Sequence, residues 1–164
     1  MAAPQDTRTS AGYVLGPDEG EAFHWLGSLT ITKVGAARTA RGLSVVDHRV
    51  PAGYAPPPHQ HAEDEVFYVI DGDFRVRCGP DSWQAGPGSL VFLPRDVPHG
   101  FTVSGDGPGR TLLICAPGGF DEVVSELGTP PGELRLPGPD VELPDLDRIR
   151  AVASAHGISP APDF

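Results

Sequence analysis

The stretch PPPHQHAEDEVFYVIDG, residues 56–72, decides how the rest of the chain is read. Three prolines lead into two histidines one residue apart, then a run of acids, then apolar residues and an Asp-Gly turn. On an extended segment His59 and His61 project to one face, because side chains alternate along a strand. Glu65 shares their parity, although a turn through residues 62–64 would change the phase. Beyond Asp71-Gly72 the pattern continues as DFRVRC, which reads as a hairpin closed by a two-residue type I′ turn. In that register Ile70 faces Asp73, Val69 faces Phe74, Phe67 faces Val76 and Glu65 faces Cys78. One face then carries Glu65, Phe67, Val69, Phe74, Val76 and Cys78; the other carries Val66, Tyr68, Ile70, Asp73, Arg75 and Arg77. An unpaired carboxylate on an apolar face is strongly disfavoured, so Glu65 needs a partner, and a cation is the obvious candidate.

The sequence on either side supplies more strands. SLTITKV and LSVVDHRV are β-branched runs split by GAARTARG, and VPAGYAPPP is too rich in proline for a central strand. SLVFLP, HGFTV and RTLLICA follow, with turn signals about every ten residues, which argues for a sandwich or barrel. In FDEVVSEL, Phe120, Val123, Val124 and Leu127 fall at helical spacing. DLDRIRAVASAHG reads as a second helix, with acids in its first turn, His156 in its last and Gly157 as its stop. The expected organisation is a polar N-terminal arm over residues 1–20, a β-domain over 21–118 and a helical extension over 119–164 that packs on it.

Composition narrows the function classes. A length of 164 residues suits one domain, and 21 glycines with 19 prolines suit short strands joined by turns. The formal charge of −10, with no basic run, would repel a duplex or an anionic membrane, so neither is an expected partner. Residues 1–16 carry no apolar h-region and no stretch is long enough to span a bilayer, which leads to the expectation of a cytoplasmic protein. Cys78 and Cys115 are too few and too far apart for a disulfide framework or a thiolate metal knuckle.

A further ligand comes from LPRDVPHGF, where His99 opens a strand with His99, Phe101 and Val103 on one side. Three neutral imidazoles and one carboxylate make a borderline-to-hard divalent site. Structural zinc more usually recruits thiolates, so Fe(II), Mn(II), Ni(II), Co(II) or Cu(II) fit at least as well as Zn(II). Four protein ligands leave open positions on a metal of five or six coordination, and open positions allow chemistry.

Gly53, His59, His61, Glu65 and Gly72 match G-x5-H-x-H-x3-E-x6-G at every specified position, and the chain here resembles the first motif of the cupin superfamily. Gly88, Pro94 and His99 resemble the second, G-x5-P-x-G-x2-H-x3-N, which departs at Asp96, where glycine is usual, and at Val103, where asparagine is usual. The resemblance implies an all-β cupin barrel (a double-stranded β-helix, or jelly roll) with one or two short C-terminal helices. It also implies one divalent metal held by His59, His61, Glu65 and His99, and strands that pair across a homodimer. From GSLTITKV through VIDG, and again at GGFDEVVSELGTPP, the chain is similar to single-domain bacterial cupins related to quercetin 2,3-dioxygenase. That likeness implies a dioxygenase in which Glu65 is both metal ligand and base.

Blander readings stand beside these. The four ligands would also make a hydrogen-bonded cluster without metal. Glu63 and Asp64 read as solvated loop acids, His24 and His48 as packing or surface residues, and His156 as the partner of a helix C-terminus. Trp25 reads as a core aromatic, and Cys78 as a small apolar residue. Three functions are carried forward. The first is a dioxygenase for a small aromatic or enolisable substrate, with Phe67, Val69, Phe74 and Phe101 lining its pocket. The second is a non-oxidative metal-dependent isomerase, cyclase or lyase, and the third is a module that only binds a small ligand.

Overall fold

The computed structural model describes residues 11–161; residues 1–10 of the expected arm, and 162–164, lie outside the described residues. The strands are β1 (Glu21–Trp25), β2 (Ser28–Val34), β3 (Ser44–Val50), β4 (His59–Gln60), β5 (Asp64–Asp71), β6 (Phe74–Cys78), β7 (Asp81–Ala85), β8 (Leu90–Leu93), β9 (His99–Val103), β10 (Gly109–Ala116) and β11 (Ser159–Pro160). Two helices, α1 (Phe120–Leu127) and α2 (Leu146–Ala155), lie between β10 and β11. The strands form two antiparallel sheets, β1-β2-β3-β10-β5-β8 and β11-β4-β9-β6-β7. This is the jelly-roll architecture that the resemblance to cupins implies.

β1, β7 and the two-residue β11 are the strands absent from the sequence reading. EAFHW and DSWQA hold no β-branched residue, and each forms the edge of its sheet. Pairing with β2 and β6 makes them strands where their own propensity does not. Among residues 11–20 there is no strand; the Tyr13 hydroxyl donates to the Lys33 carbonyl, and Lys33 Nζ donates to the carbonyls of Gly16, Pro17 and Glu19.

The expected β5–β6 hairpin is not formed. β5 pairs with β10 and β8, whereas β6 pairs with β7 and β9 in the other sheet. A type I′ turn needs positive φ at both central residues, and here Gly72 (φ +83°) has it while Asp71 does not. Gly72 instead turns a corner, where an added Cβ would lie 2.8 Å from both Gly109 Cα and the Pro108 carbonyl oxygen. A register shift between Arg110 and Thr111 bends β10 against β5 beside that corner.

The face assignment survives this correction because parity is preserved along both strands. Phe67, Val69, Phe74 and Val76 are completely buried, and Tyr68, Ile70, Arg75 and Arg77 are exposed. The buried residues meet across the sandwich instead of along a ladder; the Phe67 and Phe74 rings stand edge-on at 5.1 Å. Glu65 therefore lies beside Cys115 and Leu93, and Cys78 beside Asp81 and His99.

α1 buries Val123, Val124 and Leu127 and packs on β1, β3 and α2. Asp145 caps α2 through the Asp147 amide, and the helix stops where Gly157 takes φ +73°. The chain then returns as β11, which places Pro160 against His59. No helix among the described residues is long and apolar enough to cross a membrane.

On the outer face of β3, Asp47 is buried between two guanidiniums, with Oδ2 2.7 Å from Arg110 Nη2 and 3.2 Å from Arg49 Nη2. Burial alone would raise this carboxyl; the hydrogen bonds and charges of Arg110 and Arg49 outweigh it and hold it below the usual range. A depressed carboxyl stabilises the fold above its unfolded value, about 3.9, and that stability is lost as pH falls through the folded value. Asp47→Asn is expected to cost roughly 2–4 kcal/mol at neutral pH, read by urea unfolding. The gap to wild type should close below about pH 4.

Candidate metal centre

β4 and β9 are paired so that His59 and His99 are direct cross-strand partners, and His61 follows β4 by one residue. Ligand atoms of His59, His61 and His99 all lie within 4.8 Å of one another. Ring centroids are 4.8 Å apart for His59–His99, 4.7 Å for His61–His99 and 5.5 Å for His59–His61. Glu65 enters from β5, with Oε2 3.2 Å from His61 Nε2.

The tautomers are fixed by the backbone. Nδ1 of His59 donates to the Pro57 carbonyl at 2.9 Å, that of His61 to Glu63 at 3.1 Å, and that of His99 to Val97 at 2.9 Å. A carbonyl only accepts, so each Nδ1 carries a proton, and Nε2 of His59 and of His99 is left to present a lone pair, as metal-ligating histidines require. His61 Nε2 donates to the Glu65 carboxylate and would release that proton on ligating a metal. His99 Nε2 is buried with no hydrogen-bond partner among the described residues. Three converging Nε2 atoms beside a carboxylate, with that of His99 orphaned, fit a divalent cation better than a self-satisfied imidazole cluster.

Charge supports the same arrangement. Burial would raise the Glu65 carboxyl, but the His61 hydrogen bond and the His99, His61 and His59 charges hold it low. Burial would depress the His61 imidazolium, and Glu63 and Glu65 outweigh that and raise it. His99 is depressed, chiefly by burial.

The two motifs are tied to each other. Arg95 donates from its backbone and side chain to Asp64, closing at 2.7 Å, so Asp64 is a brace between motifs and no ligand. The Asp96 amide donates to the His61 carbonyl at 2.8 Å. Asp96 sits at φ +61°, in the left-handed region, which explains why glycine is usual there and why a short polar residue substitutes. Glu63, read from sequence as a solvated loop acid, instead places Oε2 3.2 Å from His61 Nδ1.

Around the centre, polar residues interrupt the apolar inner face of the larger sheet. Ser44, Cys115 and Glu65 form one cross-strand row, and Thr30, His48, Thr111 and Val69 form another. Burial first, then the Glu65, Glu63 and Asp121 charges, push the Cys115 thiol well up, so it stays protonated. His48 is 2% exposed, ringed by Trp25, Tyr54 and Phe101, and burial lowers it to about 4. Sequence spacing singled out no role for His48. The available signal was the alternation Ser44, Val46, His48, Val50, which puts it inward with the two valines.

Of the residues expected to line a pocket, Phe67, Val69 and Phe74 are fully buried in the main core, and Phe101 is half-buried against both rings. Trp25 is half-buried and packs edge-on against Phe120 at 5.2 Å. His24 Nε2 contacts the Arg135 carbonyl, and His156 Nε2 contacts Glu126 at 3.0 Å; neither joins the cluster. Surface depressions lined by His24, Arg135 and Leu136 share no residue with it.

Comparison with known proteins agrees with this architecture. A family model described as a cupin domain matches residues 46–115. The uncharacterized protein SCO3923 of Streptomyces coelicolor is 34% identical over 78 residues, covering 47% of this chain and 72% of that protein. Dimethylsulfoniopropionate lyase DddQ of Ruegeria pomeroyi is 33% identical over 86 residues, 52% of this chain and only 41% of the lyase. The chain thus matches less than half of the lyase's length. An RmlC-like cupin from Shewanella frigidimarina superposes with a TM-score of 0.57 at 19% identity, covering 68% of this chain and 96% of that one, which shows the fold alone. With both motifs placed on a jelly roll and three histidines converging between its sheets, the chain belongs to the cupins.

Proposed function

We propose that the protein is a mononuclear metal-dependent enzyme that moves a proton on a small oxygen-bearing substrate. His59, His61, His99 and Glu65 hold the metal, and Glu65 is the acid–base group. The observation that carries this reading is a buried carboxylate 3.2 Å from His61 Nε2, beside three imidazoles whose Nδ1 atoms are committed to backbone carbonyls, so that their Nε2 atoms face the centre. A divalent Fe, Ni, Mn, Co, Cu or Zn ion there would supply Lewis-acid polarisation of a substrate oxygen, or redox chemistry with O2 where the ion allows it. Glu65 Oε2 takes the substrate proton, and the surrounding wall excludes water from the exchange.

Non-oxidative elimination or isomerisation is the reading we favour. Phe67, Phe74 and Phe101 interlock at 5.1–5.8 Å, which supports a slender substrate over a flat polycyclic one, and leaves Phe101 as the aromatic residue of the expected pocket nearest solvent. The partial match to a protein named as a lyase points the same way. Dioxygenation, as the quercetinase likeness implies, would use the same base. The working unit on this reading is residues 21–118, with 119–164 as its helical extension. The exposed outer row Tyr68, Leu90 and Phe92 supports pairing with a second copy.

The test is turnover of a panel of enolisable and β-substituted carbonyl compounds by Zn- and Fe-loaded protein, with and without O2. Solvent deuterium exchange is followed by NMR. The expected result is anaerobic exchange or elimination, lost about 10²–10⁴-fold in Glu65→Gln when the two proteins are compared at matched metal loading. Turnover confined to aerobic Fe-loaded protein would replace this reading with dioxygenation. Binding without exchange on any compound would reduce the protein to a binding module.

A further inference from the structure

The metal centre accounts for the buried polar groups at one end of the inner face and leaves those at the other end unexplained. Neither ring nitrogen of His48 has a hydrogen-bond partner among the described residues, and the same holds for Trp25 Nε1. The two rings meet edge-on with centroids 6.1 Å apart. Tyr54 and Phe101 close the remaining sides at 5.9 and 6.3 Å from His48, and both are half-buried. A packing role alone is served as well by phenylalanine, and burying an unpaired imidazole beside an unpaired indole N–H is disfavoured twice over.

The chemistry of the two groups defines what would satisfy them. An indole nitrogen only donates, and a neutral imidazole carries one N–H. Burial keeps His48 neutral at physiological pH. Each offers an uncharged donor to an acceptor oxygen. Ser44, in the cross-strand row of Glu65, and His48 are four residues apart on the inner face of β3, roughly 13 Å along the strand.

Resting on the metal-dependent reading above, we propose that His48 and Trp25 form a second recognition pole that binds a carboxylate or carbonyl oxygen at the far end of the substrate. The substrate is then an extended bifunctional molecule, one oxygen function at the histidine cluster and another between the imidazole and the indole. His48 is a specificity-determining contact in this arrangement.

The experiment uses the full chain loaded with zinc, uniformly labelled with nitrogen-15, and titrated with succinate, glutarate and adipate. Trp25 and Trp83 each give an indole N–H resonance, and Trp83, 46% exposed, is the internal control. The expected result is a saturable shift of the Trp25 resonance, with Trp83 unmoved, for at least one of the three acids. His48→Phe keeps the ring volume and removes both nitrogens. It is expected to weaken that acid about 10–100-fold while zinc affinity stays unchanged, the size expected for a hydrogen bond to a charged acceptor. No Trp25 shift with any acid, or equal affinity in His48→Phe, overturns the proposal and leaves His48 as a packing or water-bonded residue. Failure of zinc to bind wild-type protein overturns the metal reading separately, because the Trp25 shift is also read on metal-free protein.

Discussion

His99→Ala is expected to lower divalent-metal affinity by more than about 100-fold, because outer hydrogen-bond partners of a ligand alone are worth about 10–100-fold and His99 is assigned as a direct ligand. Its Nε2 is the buried orphan of the cluster, and its Nδ1 is already committed to Val97. Alanine removes the lone pair without disturbing the β9 ladder, which is made by the backbone to Cys78 of β6. Chelator competition gives the affinity, and thermal unfolding of the metal-free proteins shows whether the fold is retained. His156→Ala is the control: that ring sits at the end of α2 against Glu126, and metal affinity should not change.

Phe67→Ala is expected to cost roughly 3–5 kcal/mol of stability, the range for deleting a fully buried aromatic side chain. Phe67 is 0% exposed and touches Phe74 at 5.1 Å and Phe101 at 5.2 Å from opposite sheets, so the hole opens in the middle of the sandwich. For a chain of this size the loss corresponds to a fall in Tm of roughly 6–20 °C. Leu143→Ala, 53% exposed in the segment before α2, should stay within about 0.5 kcal/mol of wild type. Urea unfolding of both variants makes the comparison.

What sequence made legible, and what it hid, follows from the range of the interactions involved. The inward set Glu65, Phe67, Val69, Phe74, Val76 and Cys78 depends only on alternation within a strand, and all of it is buried. Their pairing depends on where the chain turns, and there Asp71-Gly72 misled: the same dipeptide that closes hairpins also turns a corner between sheets. β1 and β7 were hidden because edge strands are specified by their neighbours' ladders. His59, His61 and His99 were legible because their spacing follows from strand geometry and motif. Glu63 against His61, and Asp96 at positive φ, are loop conformations that residue types do not announce. His48 was missed for a different reason. A lone histidine carries no spacing, and its meaning comes from Trp25, Tyr54 and Phe101, brought to it from three other parts of the chain.

The central claim is that His59, His61, His99 and Glu65 bind one metal ion, and X-ray absorption at the metal edge of zinc-loaded protein tests it most directly. The account predicts one equivalent of zinc with imidazole nitrogen at about 2.0–2.1 Å, carboxylate oxygen at about 2.0–2.2 Å and no sulfur. Loss of one imidazole contribution in His99→Ala would complete the assignment. A scatterer at about 2.3 Å would mean that Cys78 or Cys115 holds the metal, and that result would contradict the site described above.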